Sequence, residues 1–346
     1  MLYINGRFLT QPMTGVNRFS FEITKALKKC GCDFVVVCPK QEINKDYDVS
    51  GLNIIRYGFG KSHIWELFSL PLFFIGKSKD ILVSFSGLGP VAVRNKITTI
   101  HDVAHRENPK WYSLPYRMFY RILEPVVLYT CKKVLTVSEF SKSEIIRHYR
   151  RVNPDDINVI YNACNSEWSH EVSVGSSSAD YFLCVSSLDP RKNFPILLSA
   201  FKQMPDIHLK IVGGKNAVFN KQELEVPSNA EFLGRVSDAE LANLYKNAKA
   251  FIYPSLYEGF GLPPIEAAHF GCPVVLSDIP VLNEVCRDSA TYFNPLSPDS
   301  IIEAVRKVNS FTEEERAQMI EKATRNLERF TWDASARKLL KLIEQI

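Results

Sequence analysis

Pro254-Ser255-Leu256-Tyr257-Glu258-Gly259-Phe260-Gly261-Leu262-Pro263-Pro264-Ile265-Glu266 follows an apolar run, Ala250 to Tyr253. The run reads as a buried parallel strand, two glycines bracket Phe260, and two prolines open a segment of helix formers from Ile265 to Phe270. The order is strand, tight loop, helix start. Gly259 and Gly261 let backbone approach a ligand closely, and a helix N-terminus behind them offers N–H groups suited to an anion. Glu258 lies on the loop and Glu266 about a turn into the helix, so both could face one cleft at different depths. Strand, Gly-Pro turn and helix also occur throughout α/β proteins, where Glu266 would be an ordinary helix-face acid.

Outward from this stretch the same alternation repeats. Towards the N-terminus, Met1 to Asn5 reads as a strand, Gly6 to Gly15 as a loop and Val16 to Lys29 as a helix. Further strands are expected at Phe34 to Cys38, Ile54 to Tyr57, Ile81 to Phe85, Lys96 to Ile100, Lys133 to Val137 and Asn158 to Tyr161. Ser138 is the expected cap of the helix that follows the fifth of these. Ile64 to Phe74 and the aromatic, basic segment Trp111 to Thr130 each read as a core helix, or as an amphipathic face near a membrane or acceptor. Ser173 to Ala179 has a linker composition, Ser-Val-Gly-Ser-Ser-Ser-Ala. After it come strands at Tyr181 to Val185, Leu209 to Val212 and Val274 to Leu276, with Ser237 capping a helix from Asp238. Strand-helix alternation throughout predicts parallel sheets covered on both faces.

A chain of 346 residues exceeds one ordinary core, so two domains are expected. Its 46% hydrophobic and 23% charged residues are those of a globular protein. The eight cysteines are scattered, with no Cys-x-x-Cys pair, which argues against a zinc site or a disulfide framework and for reduced thiols in a cytoplasmic protein. No basic-then-apolar leader and no long uncharged apolar run is present, so neither secretion nor membrane spanning is expected. Residues 1 to 165 carry 23 Lys/Arg against 14 Asp/Glu, or +9, and residues 166 to 346 carry 19 against 24, or −5. The basic residues are dispersed and no nucleic-acid motif accompanies them, which favours an anionic acceptor or lipid surface over nucleic acid.

The string Pro254 to Glu266 resembles the Glu-x7-Glu signature of the retaining glycosyltransferases of family 4, and looks most like bacterial polysaccharide mannosyl- and rhamnosyltransferases. The resemblance implies the GT-B fold, two Rossmann-like parallel-sheet domains facing a central cleft. It places an acceptor-side domain at 1–168, a nucleotide-sugar domain at 169–328 and, at 329–346, a helix crossing back to the first domain. In that family the first Glu contacts the donor sugar and the second holds the ribose, which assigns Glu258 and Glu266. The amides of Gly259, Phe260, Gly261 and Leu262 then face sugar and diphosphate. Leu188 to Asn193 resembles the phosphate-binding element, so Arg191 and Lys192 would hold the pyrophosphate; taken as residues alone they are a common solvated basic pair. Ser186 and Ser187 stand where relatives usually have glycine, and a Ser187 hydroxyl would replace one contact. Gly213 and Val236 complete the implied donor set.

Thr14-Gly15-Val16-Asn17-Arg18 resembles the N-terminal glycine loop, with Gly15 approaching the diphosphate from the other domain and one glycine where many relatives have two. Thr99-Ile100-His101-Asp102 resembles the His-Asp motif, in which His101 contacts the donor sugar. Asp102, Ser138 and Tyr112 fall on the implied acceptor side. The resemblance implies retention through front-face attack, a nucleotide-sugar donor such as GDP-mannose, no metal, and a glycan or lipid-linked acceptor at the inner face of a membrane. An epimerase or phosphorylase of the same architecture, or a non-enzymatic sugar-binding module, are the competing readings. An epimerase would convert the donor without any acceptor.

Overall fold

The computed structural model describes residues 1–168, 180–214 and 225–346. The chain forms two compact units. One comprises Met1–Val103, Arg117–Asn162 and Thr331–Ile346, and the other Ala104–Tyr116 and Ala163–Phe330. The proposed linker, Ser173 to Ala179, lies outside the described residues. Residues 104–116, expected from the sequence to belong with the N-terminal half, group with the second unit.

Among the described residues the first unit has seven parallel strands: β1 (Leu2–Asn5), β2 (Val35–Cys38), β3 (Ile54–Arg56), β4 (Ile81–Ser84), β5 (Lys96–Thr99), β6 (Lys133–Thr136) and β7 (Ile157–Val159). Their order is β3-β2-β1-β4-β5-β6-β7. Every residue of β2, Val-Val-Val-Cys, is buried, as expected for a parallel strand covered on both sides. The helix Gly15–Lys29 begins at a Thr14 cap, whose hydroxyl accepts from Asn17 N at 3.3 Å. It packs against the last helix, Trp332–Ile343, with the rings of Phe19 and Trp332 5.8 Å apart.

The expected helix at Ile64 to Phe74 is interrupted. Ser62–Ile64 is followed by a wider π-turn at Trp65–Ser69 and then by Leu70–Phe73. Pro71 has no N–H for the ordinary helical bond, and a locally widened turn precedes it. Trp65 and Leu70 are buried there, whereas Ile64, Phe68 and Leu72 face solvent, so this segment is only half a core helix.

The second unit holds, among the described residues, β8 (Tyr181–Val185), β9 (His208–Val212), β10 (Ala230–Gly234), β11 (Ala250–Tyr253), β12 (Val274–Ser277) and β13 (Thr291–Phe293), all parallel. Their order is β10-β9-β8-β11-β12-β13. Phe182, Leu197, Phe201, Ile211, Ile252 and Val305 form the centre of its core. In both sheets the chain builds outward on one side and then jumps back to the other. The jump falls between β1 and β4 in the first and between β8 and β11 in the second. In such doubly wound sheets ligands collect beyond the carboxyl ends of the two strands that flank the reversal.

Candidate functional site

Beyond the carboxyl ends of β8 and β11 lie the two strings the sequence singled out. Asp189 caps a short turn, Pro190–Lys192, and accepts from Arg191 N at 3.2 Å, while the Ser187 hydroxyl donates to the other Asp189 oxygen at 2.8 Å. The turn ends at Asn193, whose φ of 58° is left-handed and whose side chain donates to Pro295 O at 2.7 Å. Leu256 N donates to Arg191 O at 2.8 Å and fastens this turn to the loop after β11.

That fastening sets Lys192 inside the glutamate loop. Its Nζ donates to Glu258 Oε1 at 2.6 Å and to the Tyr253 hydroxyl at 2.8 Å. The lysine and glutamate side chains are 7% and 8% exposed, so this is a buried ion pair and not a solvated basic face. Arg191 Nε lies 3.3 Å from the Asp189 carboxylate. Burial disfavours ionised Glu258, but Lys192 and Arg191 outweigh it and hold its carboxyl below the usual range. Burial, then the neighbouring Glu258, pushes the Tyr253 phenol well up, so it stays protonated. Burial raises Asp189 despite the pull of Arg191 and Lys192. Taking two charges out of water is costly, and a network of shifted groups at a sheet's reversal point makes a candidate functional site.

Gly261, with φ 92°, turns the chain into the helix Leu262–His269. The backbone angle favours glycine there, and a Cβ would also press on the Leu282 side chain, whose Cδ2 would lie 2.6 Å away. Gly259 and Phe260 are buried, and Phe260 sits edge-on to Phe330 at 5.4 Å. Pro263 and Pro264 occupy the second and third helical positions. Neither carries an N–H, so of the first three positions this helix start offers an anion only the Leu262 amide, fewer donors than expected from the sequence.

Glu266 is buried, and the Tyr245 hydroxyl donates to its Oε2 at 3.1 Å. Burial and then Glu266 drive the Tyr245 phenol well up. The two glutamates therefore keep different company, Glu258 a cation and Glu266 a neutral phenol. Gly213, at φ 146°, lies against the end of β8, where a Cβ would sit 1.8 Å from Ser186 O. Val236 is half-buried in the loop between β10 and the Ser237 cap. Tyr112 belongs to this unit and stacks on Tyr116, centroids 5.1 Å apart.

In the first unit, Gly15 is the exposed first residue of its helix, with open space around its α-carbon. His101 follows β5; its Nε2 pairs with Phe85 O at 2.9 Å and its ring stands edge-on to Phe19 at 5.1 Å. Burial lowers the His101 pKa against the opposing pull of the Phe85 carbonyl and Asp102, which favours neutral imidazole with the Nε2 proton donated. Ser138 caps the helix Glu139–His148, as expected, accepting from Ser141 N at 2.9 Å. Ser141 in turn donates its hydroxyl to His101 O at 3.0 Å, so the cap and the histidine hold each other in place.

Sequence reasoning missed Tyr253, Asp189 and Tyr245 as parts of the site. Asp189 lay inside the Leu188 to Asn193 string, and Tyr253 is the last residue of β11, where a polar tip on an apolar run is the available signal. It also missed a polar knot at the first unit's reversal point. There Glu66, on the π-turn, accepts from Asn5 Nδ2 at 2.7 Å and Gly89 N at 3.1 Å, with Arg7 Nε 3.5 Å away. Burial opposes the Glu66 charge, yet Arg7 and His63 keep its pKa low.

The chain matches two family models, Glycosyltransferase Family 4 over residues 13–168 and Glycosyl transferases group 1 over residues 167–326. It is 30% identical over 334 residues to the O-antigen chain mannosyltransferase RfbU of Salmonella typhimurium, covering 89% of this chain and 90% of that protein. It is 27% identical over 331 residues to the O-antigen chain mannosyltransferase B of Escherichia coli, covering 84% and 85%. Among solved structures, it aligns with WaaG, a glycosyltransferase involved in lipopolysaccharide biosynthesis, at a TM-score of 0.72 and 16% identity over 99% of both chains. Anabaena Alr3699/HepE in complex with UDP-glucose aligns at 0.75 and 15% identity, over 100% of this chain and 99% of that one.

Proposed function

We propose that this chain, which belongs to glycosyltransferase family 4, moves mannose from a nucleoside-diphosphate donor to a glycan or lipid-linked acceptor of a surface polysaccharide, with retention of anomeric configuration. The glycosyltransferase activity follows from the family. The observation that carries the residue roles is the buried Lys192–Glu258–Tyr253 network at the reversal point of the second sheet. The names of the relatives as mannosyltransferases support the choice of sugar.

Cleaving the bond between the anomeric carbon and the diphosphate leaves positive charge on the sugar and negative charge on the leaving group. Lys192 and Arg191 supply cations for the leaving group, a contribution of about 3 kcal/mol for a well-placed donor. Glu258, kept ionised by those same cations, is suited to the electron-poor sugar. The acceptor oxygen forms the new bond on the face the diphosphate leaves, and its proton passes to the departing phosphate oxygen. Glu258 as a covalent nucleophile is the less favoured route, because the Lys192 ammonium 2.6 Å from its Oε1 withdraws electron density and makes the carboxylate a weaker nucleophile. Glu266 holds the donor ribose in this reading. With two cations at the diphosphate, no metal is required, and chelation with EDTA should leave the rate within about twofold.

Incubation with GDP-, UDP- and dTDP-sugars, with and without acceptor, is the test. Nucleotide release only with acceptor, and an NMR anomeric coupling matching that of the donor, support the reading. An inverted product rejects retention, and conversion of the donor with no acceptor favours the epimerase.

A further inference from the structure

β11 reads Ala-Phe-Ile-Tyr, and every residue of it is buried. Alternate residues of a strand face opposite ways, so Ala250 and Ile252 enter the core around Phe182 while Phe251 and Tyr253 share the other face, their rings 5.7 Å apart. Packing there asks only for an aromatic ring. Tyr253 is 2% exposed, and a hydroxyl taken that far from water is unfavourable unless it is hydrogen-bonded. Its partner is the Lys192 ammonium, 2.8 Å away and 61 residues back in sequence.

An ammonium carries three N–H groups. Glu258 Oε1 at 2.6 Å takes one and the Tyr253 hydroxyl takes a second, so two anchored acceptors fix the direction of the third. Both anchors are firm. The Tyr253 carbonyl accepts from the Ser277 hydroxyl at 3.3 Å, and the Glu258 loop is fastened through Leu256 N to Arg191 O at 2.8 Å. Glu258 by itself would let Nζ swing about a single oxygen, and its full negative charge offsets the cation that a ligand would meet. The phenol oxygen is neutral, so it orients the ammonium without cancelling its charge. The phenol is also hydrogen-bonded to the Glu258 carboxylate, so its proton turns to Glu258 while its oxygen accepts from Lys192. The three groups close a ring.

We propose that Tyr253 is a positioning residue for the leaving diphosphate: its hydroxyl aims the third N–H of Lys192 at the leaving oxygen and keeps a hydrogen bond on Glu258 as the lysine turns to the developing charge. The inference rests on the sugar transfer proposed above. In that step the electron pair of the bond between anomeric carbon and oxygen goes to the phosphate, the acceptor oxygen bonds to the carbon, and its proton passes to the phosphate. Tyr253 gains and loses no proton. An interaction that strengthens as charge develops raises turnover and not donor affinity. The free nucleoside diphosphate carries the charge of the departed group and the sugar donor does not, so the hydroxyl matters more to the product than to the substrate.

Calorimetric titration with GDP, UDP and dTDP and with the matching monophosphates, beside transfer kinetics, tests it. Tyr253→Phe keeps the ring that packs on Phe251, so the protein is expected to fold. It should lower kcat about tenfold or more, the effect of one hydrogen bond to a charged group, and leave KM for the donor within about twofold. Affinity for the diphosphate that wild type binds should fall about fivefold or more, and affinity for its monophosphate should stay within about twofold. In a Lys192→Met, Glu258→Gln background the hydroxyl has no cation to aim, and Tyr253→Phe should leave diphosphate affinity unaltered. A purely structural hydroxyl would lower it equally in both backgrounds. Equal losses in the two backgrounds, parallel losses of mono- and diphosphate binding, or a kcat at the wild-type value overturn the inference. The expected binding pattern without transfer from any donor would reject the proposed transfer alone, since Tyr253 would still aim Lys192 at a bound diphosphate.

Discussion

Lys192 couples stability to chemistry. Its partner Glu258 is buried, so removing the cation leaves an uncompensated carboxylate in the protein interior, a cost of about 3–5 kcal/mol. Lys192→Ala should therefore lower both the unfolding free energy and, by about two to three orders of magnitude, the turnover with donor and acceptor. Lys192→Met combined with Glu258→Gln removes both charges and should recover much of the stability while leaving turnover low. Denaturant unfolding of the three proteins beside rate measurements separates the effects; near-normal turnover in a folded Lys192→Ala protein would sink the assignment. Lys96 is a second buried cation, on β5, donating to Val93 O at 2.8 Å and Thr130 Oγ1 at 3.0 Å. Burial lowers its pKa from 10.5 to about 8. The unfolded chain thus binds a proton more tightly than the folded one, and the charged lysine destabilises the fold below about pH 8, a cost relieved as pH rises towards 10.5. Lys96→Met carries no such charge. Its stability relative to wild type should be most favourable below pH 8 and should decline by about 3 kcal/mol between there and pH 10.5. A pH-independent difference in denaturant midpoints would contradict this.

At the scale of elements, strand ends and their turns decide where the site residues go. Gly213 comes directly after β9 and lies against the carbonyl that ends β8, and a methyl group 1.8 Å from Ser186 O cannot be accepted without moving backbone. Gly213→Ala is expected to cost more than the roughly 1 kcal/mol of an ordinary strained glycine substitution and to displace the Ser186–Lys192 turn. Weaker nucleotide binding in a folded Gly213→Ala protein, measured by calorimetry, checks it; unchanged affinity counts against the turn's role. Much of this was legible in the sequence. The apolar run Ala250 to Tyr253 followed by Gly-Phe-Gly and Pro-Pro fixes strand, loop and helix locally, and Ser138 and Ser237 announce their caps. The meeting of Lys192 with Glu258 was legible only through the family's motif, because 66 residues separate them and β8 lies beside β11 by strand order, which no periodicity records. The Tyr245–Glu266 pair had no motif to announce it. The π-turn at Trp65 was invisible for a different reason, since Pro71 sits among apolar residues that suit either a continuous or a widened helix.

At the scale of the whole molecule, the first unit is built from three separate lengths of chain, and its last piece is the C-terminal helix. Trp332, Ala336, Leu339 and Leu342 are buried there, Trp332 packs on Phe19, and Ser335 donates to Tyr161 O at 2.8 Å. The residues that complete the N-terminal sheet unit thus come from a length of chain remote in sequence from its first strands. Burying Trp332, Leu339 and Leu342 is worth about 2 kcal/mol each, so a chain ending at Phe330 should lose about 5 kcal/mol or more from the first unit. The second unit keeps its own core of Phe182, Phe201, Ile252 and Val305 in that chain. Hydrogen exchange of the truncated protein is expected to show faster exchange in β1, β2 and the helix Gly15–Lys29, although the deletion lies more than 290 residues away in sequence, while β8, β11 and β12 stay protected. Equal loss of protection in both units, or none in the first, would refute the division of labour between them.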